Sequence, residues 1–252
     1  MPLESTAAAG AGSGRCVLIV VENLPVPFDR RVWAEATTLA AAGYAVSVIS
    51  PVGKGAEAPY EFLDGVHVYR HPLPFEARGA LGYLREYGAA LWHELRLALR
   101  VRREHGIDLI HGCNPPDLIF LVAWALRPFG ARFLFDHHDI CPELFETKFG
   151  RRGLLWRLTV LLERLTFWTA TVSIATNESY AEIARRRGRM AAEDVFVVRS
   201  GPRVERLPIR APTPALRRDA THLIGYVGVI GQQEGMDLLL DAAEHMIRRM
   251  GR

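Results

Sequence analysis

Four titratable side chains stand in a row at Asp136-His137-His138-Asp139, directly after the apolar run RFLF. Carboxylates and imidazoles this close can bind a divalent ion such as manganese, pass a proton or orient a hydroxyl. On an extended segment neighbours point to opposite faces, so Asp136 would share a side with His138, and His137 with Asp139, unless the strand has ended. Local hydrogen bonds at a strand end are the alternative account of each histidine. Two more polar loops follow apolar runs. His111-Gly112-Cys113-Asn114-Pro115-Pro116-Asp117 sets a polar cluster before a Pro-Pro-Asp sequence suited to the first turn of a helix, which leaves Asn114 without a purely structural explanation. Glu22 to Arg31 is a proline-braced connection in which Asp29 can cap a helix, and Asp29 and Arg30 suit either that task or contact with a substrate.

The elements that must carry these loops alternate strand and helix. CVLIVVE (16–22), YAVSVIS (44–50), VHVYRHP (66–72), IDLIHG, RFLFDHH, TVSIAT and VFVVR read as strands. Helical periodicity fills 29–43, 81–105, 117–127, 153–168 and 178–187 between them. This is the rhythm of an α/β fold with a doubly wound parallel sheet, Rossmann-like, in which ligands bind beyond the carboxyl ends of the strands. All three polar loops lie there. Residues 1–15 read as a disordered leader, 16–200 as the first domain, and 201–220, with four prolines, as a linker. From Thr221 an apolar strand, a glycine-punctuated turn and an amphipathic helix open a second Rossmann-like domain. One strand with one helix cannot bury both faces of a parallel sheet, so residues 221–252 are expected to be the start of a truncated domain.

Composition narrows the function classes. At 252 residues, 49% hydrophobic and 23% charged, the chain can bury a sizeable core. The net charge of +3 comes without a dense basic stripe, which argues against a nucleic-acid partner and for an anionic small molecule or a membrane surface. Three widely spaced cysteines suggest neither a disulfide framework nor a zinc ribbon, and a reducing cytoplasm is the simplest setting.

FDRRVWAEATTLAAAGYAVSVIS, IDLIHGCNPPDL, FDHHDICPELF and YVGVIGQQEGMDLLLDAA, in that order between Cys16 and Arg252, resemble the retaining, GT-B-fold glycosyltransferases of family 4. The resemblance implies two Rossmann-like domains across a cleft, the first binding an acceptor and the second gripping a nucleotide-sugar donor, with no cofactor and no metal. It puts His138 and Asp139 at the catalytic position, as groups that orient a hydroxyl whose proton goes to the departing phosphate. It gives Asp29, Arg30, Asn114 and Glu143 to the acceptor side. It assigns Gly228 and Gly231 to the first turn of the donor domain, where a backbone can approach a diphosphate. In many members of the family it resembles, the position of Cys113 holds a histidine, and a thiol cannot replace that imidazole as a hydrogen-bond partner at neutral pH. Their basic pair and E-x7-E segment would lie beyond Arg252, so the chain is expected to be inactive alone, or a non-catalytic acceptor-binding module.

The acceptor the resemblance implies is a glycan or lipid-linked glycan, in surface polysaccharide synthesis. The leucine- and arginine-rich helices near 79–105 and 151–168 are then either core-facing elements or basic amphipathic faces lying peripherally on the inner face of a membrane. Asp-His-His taken alone also resembles the signature of the DHH phosphoesterases. That family expects aspartates after its earlier strands, where this chain has Val21-Glu22-Asn23.

Overall fold

Val17 to Val21 are buried on both faces of one strand, which can only happen in the middle of a covered sheet. The computed structural model describes residues 14–72, 79–201, 207–218, 222–228, 230 and 234–250. Its strands are β1 (Cys16–Val21), β2 (Ala45–Pro51), β3 (Tyr60–Leu63), β4 (Val66–His71), β5 (Leu109–Cys113), β6 (Arg132–His137), β7 (Val172–Ala175) and β8 (Val195–Val197). They form one sheet in the order β3-β4-β2-β1-β5-β6-β7-β8. All neighbours are parallel except β3, which pairs antiparallel with β4. The helices are α1 (Arg30–Ala41), α2 (Gly79–Glu104), α3 (Phe120–Leu126), α4 (Cys141–Phe149), α5 (Leu154–Thr169), α6 (Glu178–Arg186) and α7 (Met236–Met250).

Strand alternation splits the core in two. Leu18, Val20, Ile110, Phe133 and Phe135 face α2, α3, α5 and α6, whereas Val17, Ile19, Val21 and Cys113 face α1. The mostly parallel, doubly wound arrangement read from the sequence is the one observed. Sequence periodicity misses β3, too short and too mixed in polarity to register, and α4, whose nine residues continue a loop of titratable groups. The helix expected from Asp117 begins at Phe120.

Met1–Ser200 and Gly201–Arg252 are separate compact units. The described part of the second unit holds a single turn of 3-10 helix at Pro214–Leu216 and the helix α7. The strand expected after Thr221 is absent among its described residues, for a lone extended segment has no neighbour to satisfy its N–H and C=O groups. Gly228 sits in a bend there, while Gly231 and residues 1–13 of the expected leader lie outside the described residues.

Gly112 tightens the sheet's centre. A Cβ on it would meet Phe133 Cε2 at 2.7 Å and Ile119 Cγ2 at 2.9 Å, both in the packed core. Gly112→Ala should therefore destabilise the fold by about 1–3 kcal/mol through overpacking. The reading is a lower urea midpoint at unchanged m-value, and an unmoved midpoint would show that the strand end has room.

Candidate functional site

The chain winds from β1 outward through β2 to β4, then returns to build β5 to β8 on the other side of β1. The connections therefore part at the carboxyl ends of β1 and β5, which opens a crevice there. Asp29 fixes the element that lines it. Its side chain accepts from the backbone amides of Arg31 and Val32, both at 3.1 Å, and so caps α1. That cap sets which arginine turns inward. Arg30 is exposed, whereas Arg31 and, one turn on, Glu35 face the ends of β5 and β6.

At the centre lies Asp136, with no solvent exposure. Arg31 grips it with both arms of the guanidinium, Nη2 donating to Oδ1 at 2.6 Å and Nε to Oδ2 at 3.2 Å. His111 Nε2 stands 3.4 Å from Oδ2 and His138 Nδ1 3.5 Å from it. Arg31 also reaches Glu35 at 3.3 Å and the Ser200 hydroxyl at 2.8 Å. Burial alone would push the Asp136 carboxyl up. Its imidazole and guanidinium partners outweigh burial and hold it well below the usual carboxylate range. In return, although burial works against a charged imidazole, the Asp136 carboxylate raises the His138 pKa above its ordinary value.

Glu35, His111, Cys113 and Asp136 bring potential ligand atoms within 4.8 Å of one another. A divalent ion there would have to displace the guanidinium from Asp136. For Cys113 to join as a ligand its thiol would have to ionise, and burial and the neighbouring Asp136 and Glu35 carboxylates push that thiol's pKa well up.

Asn114 is a clamp. Only 1% exposed, it spends its whole amide on the chain: Oδ1 accepts from the amides of His138 and Asp139, both at 3.0 Å. Its Nδ2 donates to the Asp139 carbonyl at 2.6 Å and to Asp117 at 3.1 Å. The loop after β6 is thus fixed against β5, leaving the side chains of His138 and Asp139 partly accessible. Burial raises the Asp139 pKa, against the pull of His138 and His137.

His137 goes elsewhere. It lies on the opposite face of β6 from Asp136, buried beside Phe167 and Tyr180, with Nε2 3.5 Å from Glu163. Arg187 bridges Glu163 to Glu143, which it holds through two bonds of 2.6 and 3.0 Å. Glu143 is therefore occupied by an arginine, and Asp136 and His137 do not converge on one ligand. Of the residues singled out in the sequence, His138, Asp139 and Asn114 come together. Asp29 supports them through α1, and Arg30 and Glu143 stand apart. Arg31, Glu35 and His111 complete the site. The spacing of Arg31 and Glu35 by four residues, one turn inside a capped helix, was the available signal.

Two outcomes follow from this geometry. Asn114→Ala strands two amides and a carbonyl and should cost about 2–4 kcal/mol in urea denaturation; a loss under half a kilocalorie would show that the loop holds itself. His138 should titrate by NMR above 6.5, and Asp136→Asn should bring that value down. Because the folded-state pKa is raised, His138 contributes stability that is complete below 6.5 and fades as pH rises through the raised value. Asp136 is the reverse, contributing above its ordinary 3.8 and losing that contribution as pH falls through its depressed value.

Comparison with known proteins places this architecture. Residues 29–201 match the family described as the glycosyl transferase 4-like domain. Sucrose-phosphate synthase from Thermosynechococcus elongatus is similar in structure, with a TM-score of 0.65 and 16% identity over 92% of this chain and 60% of that one. So is the catalytic domain of starch synthase IV from Arabidopsis thaliana bound to ADP and acarbose, with a TM-score of 0.52 and 16% identity over 75% of this chain and 52% of that one. The chain thus spans about 60% of the length of the first. No curated protein matches it in sequence. With a family match over most of its length and a Rossmann-like sheet shared with GT-B enzymes, the chain belongs to the glycosyl transferase 4-like family.

Proposed function

We propose that the chain acts in the transfer of a sugar, with retention, from a nucleotide sugar to a glycan or lipid-linked glycan, in surface polysaccharide synthesis. Residues 16–200 bind the acceptor, and the donor is gripped by a second Rossmann-like domain. The observation that carries this reading is the placement of His138 and Asp139. They stand at the carboxyl end of β6, beside the crevice, on a loop clamped by Asn114, with the His138 imidazole biased toward its charged form by Asp136.

An imidazole so held, with its charged form favoured by the Asp136 carboxylate, is suited to orienting a hydroxyl more than to abstracting its proton. It can fix the acceptor hydroxyl and offset charge on the departing phosphate, which itself takes the proton. Asp139 accepts from the same hydroxyl or its neighbour. Asn114, Asp29 and Arg31 act behind them as positioning residues. The ADP in the starch synthase IV structure is in keeping with a nucleoside-diphosphate sugar as donor. No helix among the described residues is long and apolar enough to cross a membrane, and we place the protein in the cytoplasm, peripheral to the membrane's inner face.

The chain joined to a complete donor-binding half should transfer labelled sugar from one member of a nucleotide-sugar panel to a glycan or lipid extract. His138→Ala should lower kcat about a hundredfold with KM little changed. Unchanged turnover in that variant would remove the role of His138, and no transfer from any donor would remove the reading itself.

A further inference from the structure

α5 presents apolar side chains to solvent where a helix packed on a sheet should present polar ones. Leu154, Leu158, Leu161, Leu165 and Trp168 recur at spacings of four and three, which stacks them in one stripe. Leu154 is 82% exposed, Leu158 47%, Leu161 51% and Trp168 69%. The opposite face, with Thr166 and Phe167, fills the core. Arg157 and Arg164, both exposed, run along one flank of the stripe. The single acid of the helix, Glu163, is fully buried against Arg187, so the outward surface of α5 is apolar and positive.

The stripe leads to more of the same. Trp168 meets Trp124 edge-on at 6.3 Å, next to Arg127 and Pro128. On its other side an open cavity of about 510 Å³ lies between α5 and the turn after α6, with Arg164 and Arg189 on its lining.

We propose that this face of α5 docks on an anionic lipid bilayer. Leucines enter the acyl boundary, Trp124 and Trp168 take the headgroup level where amphipathic rings are most stable, and Arg157, Arg164 and Arg189 meet the phosphates. Charge decides against a second copy of the same helix. Pairing two stripes in parallel sets Arg157 and Arg164 against leucines, and pairing them antiparallel sets them against each other. A bilayer containing acidic lipid satisfies both the apolar and the basic parts. The inference deepens the reading of a lipid-linked acceptor and rests on it only for its purpose.

The test is co-sedimentation of the full chain with vesicles of phosphatidylcholine alone, or of equal parts phosphatidylcholine and phosphatidylglycerol. Binding should favour the mixed vesicles by about tenfold or more and weaken with salt. Replacing Arg157 and Arg164 together by Ala should weaken it about thirtyfold. Leu158→Asp with Leu161→Asp should weaken it at least about tenfold, while the melting temperature falls by only a few degrees, because both side chains are about half exposed and the change costs mainly helix propensity. Equal binding to both vesicles, no binding to either, or full binding by both double variants would overturn the proposal. So would a dimer in sedimentation equilibrium that the leucine variant dissolves. No sugar or donor enters the measurement, so its failure leaves glycosyl transfer standing, and a failed transfer assay leaves vesicle binding standing.

Discussion

The carboxylate of Asp136 has lost all its water, and everything around the crevice is arranged so that it can stay ionised. A buried charge without partners costs several kcal/mol, and breaking one of its pairs leaves that cost exposed. Arg31, His111 and His138 each relieve part of it. Since Arg31 belongs to α1, His111 to β5 and the other two to the end of β6, one ion pair network ties three elements together on the side where ligands enter. The position of α1 is thereby set by charge as well as by the packing of Val32 and Ala36.

The arginine also gives the site its electrostatic character. A cluster of carboxylate, imidazole and thiol would suit a metal ion by donor type alone. Here a guanidinium supplies the positive charge from within the chain, in a bidentate geometry that a compact ammonium group could not reproduce. The Cys113 thiol, its pKa pushed well up by burial and the neighbouring carboxylates, stays buried beside it.

Much of this was legible from the residues. Most strands announce themselves as short apolar runs, and the Asp29 cap and the loop after β6 are visible as polar punctuation. What periodicity could not supply was direction. Alternation separates Asp136 from His137 in the sequence, but only the fold decides that Asp136 turns toward α1 and His137 into the core beside Phe167. Arg30 and Arg31 are indistinguishable in sequence until the cap fixes the helix's rotation. Asn114 reads as a binding residue because an amide after a strand has no obvious duty, yet its duty is to a loop twenty-five residues on. Long-range hydrogen bonds of this kind leave no local trace. The leucines of α5 mislead in the same way, being evenly helical in pattern while the solvent side keeps most of them.

The sheet's two outermost strands are short, with four residues in β3 and three in β8. Brief borders offer few free N–H and C=O groups to an extended segment of another molecule, and the antiparallel β3 closes one side with a different hydrogen-bond spacing from the interior. A sheet whose central strands β1 and β2 are mainly aliphatic would be hazardous with long open margins during synthesis, before its helices have docked. The narrow borders keep that aliphatic interior from serving as a template for edge-to-edge aggregation.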